Sequence, residues 1–185
     1  MKALLFLYTT ITELYLYVII LRGMMIVAGI SIYDPIARFV FALTDPIFKP
    51  LHSLLPRGQA FKISAIVLTV VVAIVWTFLM RWLLTFIFEC GQVSLMSWAQ
   101  DVALVLTNTV LRLYWLLLLI YVVLSWIDPM GRQPIGNTLA RLCQPLLKPV
   151  RRVVPVIGGI DITPIIPFLI IGALMVQFPP PNLPC

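Results

Sequence analysis

From Ile63 to Met80 the chain runs 18 residues without a charged side chain, and from Leu113 to Ile127 another 15. Runs of this kind constrain a fold severely. A helix of about 20 apolar residues spans the hydrocarbon of a bilayer and satisfies its own backbone polar groups there. The apolar pattern predicts four spans: Ile11–Ile30, Ile63–Phe88, Val102–Ile127 and Ile162–Phe178, the last at the short end. Composition agrees, since 62% of the residues are hydrophobic and 11% charged, where a soluble domain is nearer half and a quarter. At 185 residues the natural reading is one integral membrane domain over residues 1–185. The opening "MKALLFLYTTIT" has the lysine and apolar patch of a signal peptide. No small-residue cleavage site follows, so it reads as the approach to a retained first span.

The net charge is +6, and nine of the 13 basic residues sit in two loops. Residues 31–62 hold Arg38, Lys49, Arg57 and Lys62, and residues 128–161 hold Arg132, Arg141, Lys148, Arg151 and Arg152. Residues 89–101 contain no Lys or Arg. With four spans both basic loops fall on one side, and the positive-inside rule makes that side the cytoplasm. Both termini then face the periplasm of a bacterial inner membrane. Lys2 is a lone dissenting charge. Basic residues beside apolar spans point to anionic lipid rather than nucleic acid, for which no module is present.

The chain also repeats itself. "DPIFKPLHSLLP" at 45–56 returns 99 residues later as "QPLLKPVRRVVP" at 144–155. At that constant offset Tyr15 matches Tyr114, Pro35 matches Pro134, Lys49 matches Lys148 and Pro56 matches Pro155. The repeats run over approximately 11–88 and 110–178. Each holds a span, a basic segment and a second span. Two spans per copy preserve orientation, which predicts a parallel tandem duplication about an axis along the membrane normal. "PIARFVFAL" has helical apolar spacing. Thr44-Asp45-Pro46 then reads as a fresh helix start, with Asp45 as cap and Pro46 in the first turn, and Pro50 and Pro56 keep that helix short. The expectation is short amphipathic interfacial helices in both cytoplasmic loops, with Lys49, His52, Lys148, Arg151 and Arg152 as the lipid- or partner-facing surface. In the second copy Gly158-Gly159 supplies a turn and Asp161 a cap for the fourth span, with Pro164 in its first turn.

Charges inside spans are costly and therefore candidates for function. Glu13 and Arg112 stand in register across the repeat (13 + 99 = 112), which suggests an ion pair between the first and third spans, against separate snorkelling. Arg22 lies deep in the first span. It reads either as an anion, lipid-phosphate or partner site, or as an internal staple bonded to Tyr121, Ser125 or a carbonyl near Pro167. Arg81 reads as snorkelling from the outer interface.

"LYLYVIILRG", "DPIFKPLHSLLP" and above all "QPLLKPVRRVVPVIGGIDITPII" are similar to the YggT family of small integral membrane proteins. The resemblance covers nearly the whole chain and implies a multi-pass membrane protein. Some members are associated with osmotic tolerance or division-related gene neighbourhoods, and plastid relatives with cytochrome maturation and nucleoid distribution. It carries over no catalytic residue. "RGMMIVAG" lacks the tryptophan expected after the arginine, and Tyr121 stands where a second Arg22 would be.

Cys90, Cys143 and Cys185 have no metal or haem spacing, and His52 is the single histidine. No catalytic constellation is present in the sequence. The expectation is a scaffold or assembly factor without enzymatic activity or cofactor, engaging anionic lipids, a membrane-protein partner or a second copy. The alternative is an ion or osmolyte transport component, or an accessory to one.

Overall fold

A computed structural model describes residues 2–52, 61–88, 95–127, 134–152 and 163–179. These form six helices: α1 (Lys2–Val27), α2 (Pro35–His52), α3 (Phe61–Phe88), α4 (Leu95–Ile127), α5 (Pro134–Arg151) and α6 (Ile165–Gln177). The segments Phe6–Val27, Ala65–Phe86 and Ala99–Ile127 are three stretches long and apolar enough to cross a membrane. The fourth expected span is shorter than the apolar run. α6 has 13 residues, a rise of roughly 20 Å against a hydrocarbon core of about 30 Å. Pro164 stands at its cap position rather than within its first turn. Gly158, Gly159 and Asp161 lie outside the described residues.

α1 begins before the expected Ile11, at Lys2, and ends before the expected Ile30 because Gly29 stops it. Gly29 takes φ +65°. Its N–H bonds Ile26 O at 3.2 Å, and Ile30 N–H reaches back to Met25 O at 3.0 Å. This is a Schellman stop, which uses a left-handed residue that glycine supplies without strain. Met25 and Ile30 are both buried in one cluster, the apolar contact that accompanies this motif.

α2 starts where the sequence reading placed no cap. Asp34 Oδ1 accepts from Ile36 N at 2.9 Å and Ala37 N at 3.3 Å, with Pro35 as the first helical residue. Asp45 is therefore not a cap. The chain has two Asp-Pro dipeptides here, and the second lies inside one continuous 18-residue helix. Pro46 cannot donate to Ala42 O. The neighbouring carbonyls receive donors from α1: Tyr15 OH bonds Leu43 O at 3.2 Å, and Arg22 Nη1 reaches Phe41 O at 3.5 Å. Side chains of an adjacent helix thus bond carbonyls on either side of the one that Pro46 leaves without a helical donor. α5 has the same length and its own internal prolines at the same positions, Pro145 and Pro149.

α1 packs on α2 and α3, and α4 on α5 and α6. The halves meet through α1, α3 and α4 and share a core of Met25, Val40, Leu117, Leu118, Leu142 and Ile171. Asp34 adds a polar link, accepting with its second oxygen from Thr138 Oγ1 at the start of α5. Tyr15 packs at a tilt against Trp76 at 4.7 Å between α1 and α3, and Trp115 stacks on Phe168 at 4.7 Å between α4 and α6. An apolar cleft of about 520 Å³ runs between the halves, bordered by Gly23, Thr69, Tyr114 and Leu142. Outward, α3 and α4 expose Val71, Val75, Phe78, Leu119 and Val123. Surfaces so continuously apolar suit hydrocarbon rather than water.

Candidate functional site

Arg22 is buried and turned toward α2. Its Nη1 donates to Thr44 Oγ1 at 2.6 Å and to Asp45 Oδ1 at 3.1 Å. Its guanidinium lies 4.7 Å from the Phe41 ring centre and 4.4 Å from that of Phe48. These partners lie on α2 rather than in the expected third and fourth spans. α1 packs directly on α2, and the proline-interrupted stretch of α2 offers acceptors at the right depth. Asp45 also faces Lys49 at 3.7 Å, one turn along. Arg22 is thus charge-compensated and stacked between two aromatic rings, a strong setting for a guanidinium.

The matching place in the second half is built differently. At the offset of 99, Tyr121 replaces Arg22, Cys143 replaces Thr44 and Gln144 replaces Asp45. Tyr121 OH accepts from Arg151 Nη2 at 3.1 Å. Cys143 is fully buried, and burial pushes its thiol up to about 12. A thiol so far from ionisation is inert.

Each half holds a cavity at this place. The first is about 620 Å³ and is lined by Arg22, Arg38, Phe41, Ala42 and Asp45. The second is about 300 Å³ and is lined at the equivalent positions by Tyr121, Asn137, Ala140, Arg141 and Gln144, with Lys148 and Arg151 added. All five pairs differ by 99. The two cavities are the same architectural place with different charges.

Glu13 and Arg112 form no ion pair with one another. Both are exposed. α1 packs chiefly on α3 of its own half, so Glu13 borders a small cavity beside Arg81. Equal depth in the repeat does not put the two residues face to face. Arg81 is not a lone snorkelling charge: its Nη2 meets Asp101 Oδ2 at 2.6 Å across the α3–α4 junction. Asp101 escaped the sequence reading because it lay in the expected loop before Val102, whereas α4 begins at Leu95. Both side chains are largely shielded. Asp101→Asn is therefore expected to lower the thermal midpoint by roughly 3–8 °C. Exchanging the two charges should recover most of that loss. An unchanged midpoint for Asp101→Asn, read by tryptophan fluorescence, would show that the pair contributes nothing.

Lys49, Lys148, Arg151 and Arg152 are exposed, while α2 and α5 turn Ala37, Val40, Phe48, Leu139, Leu142 and Leu147 inward. His52 closes α2, and its side chain lies outside the described residues.

The CCB3/YggT family model matches residues 1–83 and again residues 100–178, consistent with tandem copies. YggT of Escherichia coli strain K12, itself uncharacterised, is 31% identical over 171 residues, 92% of this chain and 86% of that protein. An uncharacterised Vibrio alginolyticus protein, from the proC 3′ region, is 32% identical over 173 residues, 91% of this chain and 89% of its own. YlmG homolog protein 2, chloroplastic, of Arabidopsis thaliana is 38% identical over 63 residues, 34% of this chain and 25% of that protein. No solved structure matches. The chain belongs to the CCB3/YggT family.

Proposed function

We propose that this protein is a non-catalytic organiser of the bacterial inner membrane, a scaffold or assembly factor that engages anionic lipids or partner membrane proteins through α2 and α5. The carrying observation is the pair of 18-residue helices, equal in length and in proline placement, each set between apolar helices. Both bury an apolar side on the bundle and leave basic side chains outside. A helix of that make-up suits the membrane interface, where each basic residue near an anionic leaflet contributes about 1 kcal/mol. The topology that goes with this reading has four spans from a parallel duplication. Residues 31–62 and 128–161 are then cytoplasmic and both termini periplasmic. α6 and the residues flanking it complete the fourth span, and its exposed Ile165, Leu169 and Ile170 support placing it against lipid.

The test is capture of the tagged full chain from native membranes in lipid-preserving particles, with quantitative mass spectrometry. A stoichiometric partner that is lost when Lys148, Arg151 and Arg152 are changed together to alanine supports the organiser and locates its contact face. Recovery of the protein alone, as a defined oligomer, overturns it. That outcome would favour the transport reading, to be read as ion flux in liposomes.

A further inference from the structure

We infer that the cavity between α4 and α5 is a phosphate-type anion site, and that anionic phospholipid headgroups are its occupant. The inference deepens the lipid-engaging reading above by assigning it to one place in one half of the molecule. Three observations carry it.

The first is charge. Arg141 and Lys148 line the cavity, and no carboxylate among the described residues does so. Neither cation makes an ion pair with a described carboxylate. They stand seven residues apart on the same side of α5, about 10 Å of helix rise. Two long side chains can close over Gln144, which lies between them and offers amide donors. Guanidinium and ammonium together bind a phosphate by forked and point-charge contacts.

The second is proton placement. Tyr121 OH accepts from Arg151 Nη2 at 3.1 Å. A phenol that accepts there keeps its own O–H proton for another acceptor. The wall that α4 contributes is therefore a donor.

The third is the internal control. At the same place in the first half, Asp45 compensates Arg22 at 3.1 Å and Ala42 stands where Arg141 does. The first cavity carries Arg22 and Arg38 against Asp45, whereas the second carries Arg141, Lys148 and Arg151 with no described carboxylate; Gln144 in place of Asp45, and Arg141 in place of Ala42, make it the more cationic of the two. The volume of about 300 Å³ is at the low end for a ligand pocket, and suits a headgroup rather than a larger molecule.

The sibling cavity also supplies the variants. Gln144→Asp and Arg141→Ala each restore the first half's residue, and both positions are exposed, so the fold should tolerate them. The full-length protein in mild detergent is titrated with phosphatidylglycerol, phosphatidylcholine or inorganic phosphate. Native mass spectrometry counts retained lipid, and the thermal midpoint reports binding of any anion. The wild type should retain one phosphatidylglycerol and little phosphatidylcholine. Gln144→Asp should weaken that binding at least tenfold, and Arg141→Ala with Lys148→Ala similarly. Arg38→Ala, in the sibling cavity, should leave it unchanged. Displacement of the lipid by millimolar phosphate, with an equal midpoint shift, supports the anion site and assigns it to a soluble phosphate instead. Equal retention of phosphatidylcholine, or undiminished binding by Gln144→Asp, overturns it. Loss of the site with partner capture intact would leave the organising role standing. Failure of the wild type to capture any partner, with lipid binding intact, would overturn the role and keep the site.

Discussion

Asp45→Asn should lower the thermal midpoint of the purified protein by roughly 6–12 °C, and adding Arg22→Met should bring it most of the way back. Arg22 is 5% exposed. Its charge is balanced by Asp45 Oδ1 at 3.1 Å. Thr44 and the two phenylalanine rings would remain after the substitution, but they hold the guanidinium without neutralising it. Removing one partner of a buried pair costs about 3–5 kcal/mol. Asp45 is 31% exposed in its side chain, which brings the expected loss to the lower end, about 3 kcal/mol. Methionine has no charge to strand and can lie between Phe41 and Phe48. Replacing a whole buried pair by apolar side chains is often nearly neutral. Lys49→Met is the control, because Lys49 is exposed and meets Asp45 only at 3.7 Å. That contact is worth at most about 1 kcal/mol. A double variant as unstable as Asp45→Asn alone would refute the account of a stranded charge. The double variant also decides between the two readings of Arg22. If it keeps its partner and lipid binding, Arg22 is a staple between α1 and α2.

The apolar runs announced α1, α3 and α4, and the offset of 99 announced that α2 and α5 would match. Under that offset Pro35–His52 falls on Pro134–Arg151. What could not be read was which helix faces which. Register within a repeat fixes depth, not azimuth, so Glu13 and Arg112 match in depth and yet are both exposed in the structure. The same gap hid the partner of Arg22. Asp45 precedes a proline, and locally that is a cap signal. The penalty of a mid-helix proline is also local, whereas the donors that bond the carbonyls beside it, Tyr15 and Arg22, come from another helix. The cap the structure uses, Asp34 before Pro35, lies 11 residues upstream. The two cavities became visible only once both copies were folded. The substitutions that distinguish them, Asp45 to Gln144 and Ala42 to Arg141, stand in the sequence as ordinary divergence.

The close approach of α1 to α3 has the other large consequence. A methyl group added at Gly23 would sit 2.7 Å from Thr69 Cγ2. Thr69 cannot readily yield. It is buried, β-branched in a helix, and its Oγ1 donates to Ala65 O at 2.8 Å, which fixes its rotamer. Small residues at such crossings let helix backbones meet closely, the main source of packing where lipid replaces water. Gly23→Ala therefore sets two effects against each other. Helix propensity favours alanine by up to about 1 kcal/mol, while overpacking costs about 1–3 kcal/mol. A net loss is expected. Gly23→Leu cannot be accommodated at all, and should abolish the monodisperse peak in size-exclusion chromatography. Thr69→Ser removes the obstructing methyl and keeps the hydroxyl bond to Ala65. In that background Gly23→Ala should turn from destabilising to neutral or stabilising. A reversal of sign is harder to obtain by accident than a loss, so the pair of midpoints, with and without Thr69→Ser, is the stronger test. If Gly23→Ala destabilises equally in both backgrounds, the contact with Thr69 does not set the spacing of α1 and α3.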